Sequence, residues 1–378
     1  MEMSVTPQAH ADRASARDLG INIGRLAPGH WNAITDVPGV RVGHTTLIDG
    51  EGPLVPGKGP VRTGVTVILP RAENIGTNPV FAGYHVLNGN GEMTGLAWMD
   101  EFGIVNTPIA LTNTHSVGVV RDALIAYAVR HYPADYESSW SIPIVAETYD
   151  GFLSDINGFH VRPEHVWAAL DAAATGPVPE GCVGGGTGMI CHGFKGGIGT
   201  ASRLLPAEAG GWTVGVLVQA NHGQRALLRV DGVPVGQEIS FDRVPGPGVP
   251  EGAGSIIVVV ATDAPLLPHQ CKRLAQRATI GVARVGGLGE NSSGDIFLAF
   301  STGNDNLQLP DAAGEPQTIC ALPHGAMTPL FEAAADATEE AILNALCMAT
   351  TMEGANRRVA YALPLDQLRY LLAHYHRA

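Results

Sequence analysis

The chain has 378 residues with 45% hydrophobic content, enough for a sizeable core in one large domain or two ordinary ones. Lys and Arg number 23 against 36 Asp and Glu, a formal net charge of −13, which argues against nucleic acid or an anionic membrane as a partner and suits a cationic small ligand. No stretch of 18 apolar residues occurs and the N-terminus lacks a signal-peptide core, so the expected location is cytoplasmic.

In chain order, short apolar runs bounded by Gly or Pro predict strands at 64–69, 142–147, 213–220, 227–230, 255–261 and 296–300. Helical spacing predicts amphipathic helices around 119–127, 267–278 and 342–350, each with one apolar stripe. Asp336, three residues before Glu339, reads as a capping arrangement that opens the third helix, and Pro364 as the first position of a last one. Half-buried helices covering sheets make a layered α/β protein. Five cysteines, Cys182, Cys191, Cys271, Cys320 and Cys347, contain no close CxxC pair and predict neither a disulfide framework nor a zinc site.

Glycine is abundant, with 48 residues spread between apolar segments. The run at 181–199 invites a nucleotide site, but neither the dinucleotide pattern nor the Walker pattern fits, since Lys195 is followed by Gly196. His115, His192 and His222 lack HExxH spacing and read as hydrogen-bonded structural residues, so no metal is expected.

The segment 243–254 (RVPGPGVPEGAG) holds three prolines and four glycines and stops at the apolar run that begins with Ser255. It suits a surface linker between two lobes. It also has the layout for attack by the Ser255 hydroxyl on the Gly254 carbonyl, where glycine leaves no side chain in the way. Hydrolysis of the resulting ester would leave Ser255 with a free α-amine of ordinary pKa about 7.7–8.0, a nucleophile and a base in one residue.

Motifs in a fixed order surround that junction: NAITDVPGVRVGH at 32–44, NTHSVG at 113–118, ETYDG at 147–151, GGGTGM at 184–189, FKGGIG at 194–199, VQANHG at 218–223, SGDIFLAFS at 293–301 and MEGAN at 352–356. Together they resemble the family of the L-aminopeptidase/D-amidase/D-esterase and the β-peptidyl aminopeptidases, self-processing serine enzymes. The resemblance implies a four-layer αββα sandwich of the N-terminal-nucleophile, ornithine acetyltransferase-like type. It implies an inactive single-domain precursor, 1–378, cut between Gly254 and Ser255 into an α chain, 1–254, and a β chain, 255–378.

The same resemblance makes Ser255 the nucleophile that releases N-terminal residues from short peptides, amides and esters, without metal or organic cofactor. It makes Asn221 an oxyanion donor and places Ser293 and Asp295 beside the nucleophile, with Asp295 standing where some relatives carry Glu. Tyr149 falls near the scissile group. Glu147 falls where the substrate's amino group binds, and Trp140 is either a wall of that pocket or a core residue. A homo-oligomer, a tetramer of αβ units, is the implied assembly. Two alternatives stay open: an ornithine acetyltransferase-like acyltransferase, which typically has Thr at the cut, and a non-catalytic ligand-binding relative.

Overall fold

The computed structural model describes residues 13–72, 74–135, 137, 140–248, 254–309 and 315–375; residues 249–253 of the Pro/Gly segment lie outside them. Along the chain the strands are β1 (Arg41–Asp49), β2 (Val61–Leu69), β3 (Val80–Gly89), β4 (Ile104–Val105), β5 (Ile109–Asn113) and β6 (Ile144–Thr148). They continue as β7 (Ile190–Cys191), β8 (Phe194–Lys195), β9 (Gly197–Leu204), β10 (Thr213–Asn221), β11 (Gly254–Thr262), β12 (Ser293–Ser301), β13 (Met352–Glu353) and β14 (Val359–Ala360). The helices are α1 (Leu96–Phe102), α2 (Val117–His131), α3 (Pro163–Asp171), α4 (Val235–Glu238), α5 (Pro268–Arg284), α6 (Thr328–Met348) and α7 (Leu365–His374).

Two sheets carry the fold, one ordered β1-β2-β5-β6 and the other β4-β3-β12-β11-β10-β9. Strand alternation divides their side chains into three apolar layers. Ile68, Ile109, Leu111, Ile144, Leu217, Ile257, Val259, Ile296 and Leu298 fill the space between the sheets. Val65, Val67, Ala110 and Val145 point the other way, onto α2 and α3. On the far side Val216, Val218, Ile256, Val258, Val260 and Phe297 meet α5 and α6. The result is a four-layer αββα sandwich. The long apolar runs of β10 and β11 follow from burial on both faces.

The structure corrects several sequence expectations. Residues 227–230 form no strand: a 3-10 turn at Arg225–Leu227 leads to a single bridge between Val230 and Val233, because the chain reverses at Asp231 and Gly232, both at positive φ. Asp336 and Glu339 do not open a helix. They lie inside α6, which starts at Thr328, and both pair with Arg284 at 2.6 and 3.3 Å. Pro364 precedes α7 by one residue. Nor does α6 show a single apolar stripe, since residues 333–347 are all buried. Its charge is absorbed inside: Glu340 accepts from Arg203 at 2.6 Å and from Arg17 at 2.8 Å. Strand β9 escaped the pattern search because it carries Gly197 and Gly199 among small polar residues. A Cβ at Gly199 would sit 1.9 Å from the Ala341 carbonyl oxygen, so glycine lets α6 lie on the sheet.

No helix among the described residues is long and apolar enough to cross a membrane.

Candidate active site

Ser255 is the second residue of β11, which pairs antiparallel with β10 and parallel with β12. The register sets Ser255 opposite Asn221 on one side and opposite Gly294 on the other. Two predicted residues, Ser255 and Asn221, are thereby fixed by ladders of backbone hydrogen bonds. Gly254, immediately before, has φ +150°, and a Cβ there would fall 1.9 Å from the Asn221 carbonyl oxygen. Only glycine fits at this junction without moving β10.

The side chain of Ser255 shares its face with Ile257 and Val259, towards the other sheet. Its Oγ accepts a hydrogen bond from the Gly294 N–H at 3.0 Å and is largely buried. It opens onto a cleft of about 550 Å³ lined also by Glu147, Tyr149, Asn221, Thr114, Phe152 and Ile190. The far wall is contributed by the end of β6 and the turn after it, so the cleft lies where the two sheets part.

Asn221 is held at both ends of its amide. Its Oδ1 accepts the Ile190 N–H at 2.7 Å, and its Nδ2 donates to the Tyr149 carbonyl at 3.1 Å. One Nδ2–H is used in this way, and the second is available to a developing negative charge.

Glu147 is buried, and burial raises its carboxyl above the ordinary value. Hydrogen bonds from the Thr114 hydroxyl and the Glu92 N–H, the latter at 3.0 Å, oppose that rise. Every carboxylate oxygen is thus engaged, and the group is pre-positioned at the cleft. Tyr149 is 40% exposed and packs edge-on against Phe152 with ring centroids 5.5 Å apart. Beneath it Asp150 is fully enclosed, accepting from Asn113 at 3.1 Å, and burial pushes its carboxyl up to about 7.

Ser293 and Asp295 do point to one side, and Ser293 Oγ donates to Asp295 Oδ1 at 2.6 Å. That side is the one facing away from Ser255 Oγ: on β12 the residues Ile296 and Leu298 face the other sheet, while Phe297 shares the face of Ser293 and Asp295. Their route to the nucleophile is the backbone, because Gly254 pairs with Ser293 and Ile256 with Asp295 across the bond to Ser255 nitrogen. Burial raises the Asp295 carboxyl to about 6, helped by the Glu290 charge and opposed by the bonds from Ser293 and the Ile256 N–H.

Trp140 is neither a core residue nor part of the cleft lining. It is 61% exposed and meets Trp98 edge-on at 5.2 Å. Sequence reasoning missed Thr114 and Phe152, although both stand in or beside quoted motifs, and it missed the Asn90-Gly91-Glu92 wall. A run of Asn and Gly there reads only as a turn.

Known proteins similar to this chain are aminopeptidases. The chain is 51% identical over 386 aligned residues to β-peptidyl aminopeptidase BapA of Sphingosinicella microcystinivorans, covering 99% of this chain and 96% of that protein. A Burkholderia sp. β-aminopeptidase superposes with a TM-score of 0.89 at 55% identity, covering 96% of this chain and 99% of that one. The L-aminopeptidase D-Ala-esterase/amidase of Ochrobactrum anthropi superposes with a TM-score of 0.88 at 45% identity, covering 96% and 99%. That structure is described as a prototype for the serine aminopeptidases and a new variant among the Ntn hydrolase fold. The model of peptidase family S58 matches residues 32–360, and the chain belongs to that family.

Proposed function

We propose that this chain is the precursor of a serine aminopeptidase that cuts itself between Gly254 and Ser255, then removes N-terminal residues, β-amino acids included, from short peptides, amides and esters. The observation that carries the reading is the junction itself. A glycine that tolerates no side chain delivers Ser255 Oγ into a cleft whose walls hold an oriented amide, Asn221, and a buried carboxylate, Glu147. The identities of 51% and 55% to proteins named as β-aminopeptidases support the substrate class.

In processing, Ser255 Oγ attacks the Gly254 carbonyl, and the ester that replaces the peptide bond is hydrolysed by water. The Ser255 nitrogen becomes an amine. In turnover the neutral amine takes the Oγ proton while Oγ attacks the carbonyl that follows the substrate's first residue. The free Nδ2–H of Asn221 stabilises the oxyanion, with Tyr149 alongside it. The leaving amine is protonated, water resolves the acyl-enzyme, and the first residue departs. Ser293 and Asp295, flanking the Ser255 nitrogen through the β11–β12 ladder, position that amine and stabilise its protonated form.

Glu147 binds the substrate's ammonium. A cation brought against a buried carboxyl of raised pKa favours its ionised form, so the free N-terminus both binds and charges its own receptor. The test is a matched pair of substrates, a β-amino acid anilide and its N-acetyl derivative. The expected outcome is hydrolysis of the first alone, abolished in Ser255→Ala; equal cleavage of both would overturn the aminopeptidase assignment. The acyltransferase alternative is not favoured, since the relatives are aminopeptidases and serine occupies the cut.

The same reading takes the active form to be a cytoplasmic homo-oligomer, a tetramer of αβ units. The exposed rings of Trp140 and Phe102, joined by the half-buried Trp98, support it as a subunit contact.

A further inference from the structure

Directly behind Asn221, on the side away from the cleft, three soft donors converge. Cys191, His192 and His222 are all buried, and one ligand atom from each lies within 4.8 Å of the other two. Cys191 Sγ stands 3.8 Å from His222 Nδ1. Zinc bonds of about 2.3 Å to sulfur and 2.0–2.1 Å to nitrogen, set at a tetrahedral angle, separate S and N by about 3.6 Å. That pair is close to the required spacing as it stands.

His192 is poorly satisfied without a further partner. His192 Nδ1 donates to the Gln224 carbonyl at 2.9 Å, which fixes the tautomer and leaves the Nε2 lone pair buried with no hydrogen-bond partner. A ring nitrogen tied to a backbone carbonyl, with the other nitrogen free, is the orientation metal-ligating histidines adopt. Leaving such an atom unsatisfied costs about 1–3 kcal/mol. His192 is moreover held at φ 48°, a backbone conformation that needs a reason in a residue other than glycine.

We propose that Cys191, His192 and His222 form a binding site for a borderline-soft divalent cation of the zinc type, with water in the fourth tetrahedral position. Binding replaces the thiol proton of Cys191 by the metal and releases that proton to solvent. The ion would take no part in the chemistry of the cleft; it would brace the oxyanion donor. His222 follows Asn221, and Cys191 follows Ile190, whose N–H holds Asn221 Oδ1. One ion therefore ties together the two strands that fix the amide, β7 and β10. The site rests on residues outside the cleft and holds whether or not the cleft hydrolyses peptides. It revises the sequence reading of His192 and His222 as purely structural residues.

The site is enclosed, so loading is expected during folding. The test uses the full-length protein purified from cells grown with added cobalt. The expected result is about one cobalt per chain by elemental analysis, with a thiolate-to-cobalt charge-transfer band. The band should be retained in Cys320→Ser, which alters an exposed cysteine, and lost in Cys191→Ser. Zinc-loaded wild type should also melt at a higher temperature than zinc-free wild type. Should Cys191→Ser fail to fold, displacement of the wild-type band by zinc supplied during expression still decides the matter. Cobalt well below one per chain, a spectrum without the thiolate band, or equal melting of the zinc-loaded and zinc-free wild type would each overturn the proposal.

Discussion

Asn221, the proposed oxyanion donor, shows how much of a side chain's value lies in what holds it. Its amide oxygen is committed to Ile190 and one of its N–H bonds to Tyr149, so the remaining N–H is left, already oriented, for the proposed oxyanion. Asn221→Ala is expected to lower kcat about 10²–10³-fold with little change in KM, measured by steady-state anilide hydrolysis on chains already cut. Asp295, with its carboxyl raised to about 6, is neutral below that pH and anionic above it. If the anion is what stabilises the Ser255 amine, kcat/KM should show, below the limb that protonation of the amine base itself produces, a second acid limb near pH 6. In Asp295→Asn that limb should vanish while Ser293→Ala keeps a limb moved upwards, because the Ser293 bond lowers the Asp295 pKa. The placement of Asn221 and Glu147 at one cleft with Ser255 was legible from motif position. What no spacing revealed is that Ser293 and Asp295 face away from the Ser255 hydroxyl, because two residues of equal parity share a face without saying which face it is.

At the scale of elements, the pairing of β10 with β11 sets the geometry of the proposed cleavage. The register places the Asn221 carbonyl directly beside Gly254, and a methyl group there would have to displace one strand from the other. Gly254→Ala should fold but remain a single chain on a denaturing gel, whereas wild type should give two. Efficient cleavage of that variant would show that the junction is looser than the register demands. The central strands were readable because β10, β11 and β12 are continuous apolar runs, and α2 and α5 because their stripes recur at helical spacing. The Asp336–Glu339 cap was a misreading with a clear cause. In an interior helix, carboxylates that pair with Arg284 imitate the spacing of a capping box. Strands rich in glycine and small polar residues, β9 above all, owe their conformation to neighbours rather than to their own pattern.

For the whole molecule, the two pieces proposed to form on cleavage are interleaved. Strands β11 and β12 lie between β10 and β3 in one sheet, so cutting at residue 254 leaves each piece hydrogen-bonded to the other on both sides. Stability should carry a signature of the buried carboxyl under the cleft. Burial raises Asp150 from 3.8 to about 7, so the folded state binds its proton more tightly than the unfolded state does. Its contribution is complete below about pH 4 and is lost as pH rises towards 7. The melting temperature of wild type should therefore decline relative to that of Asp150→Asn between pH 4 and 8, in differential scanning calorimetry. Parallel curves would show that Asp150 is ionised throughout. The most direct test of the whole account is intact-mass spectrometry of freshly purified wild type beside Ser255→Ala. Two wild-type masses, one ending at Gly254 and one starting at Ser255, with a whole variant, are the result predicted. A folded wild type that stays in one piece would contradict it, since no free amine would then exist to serve as the base.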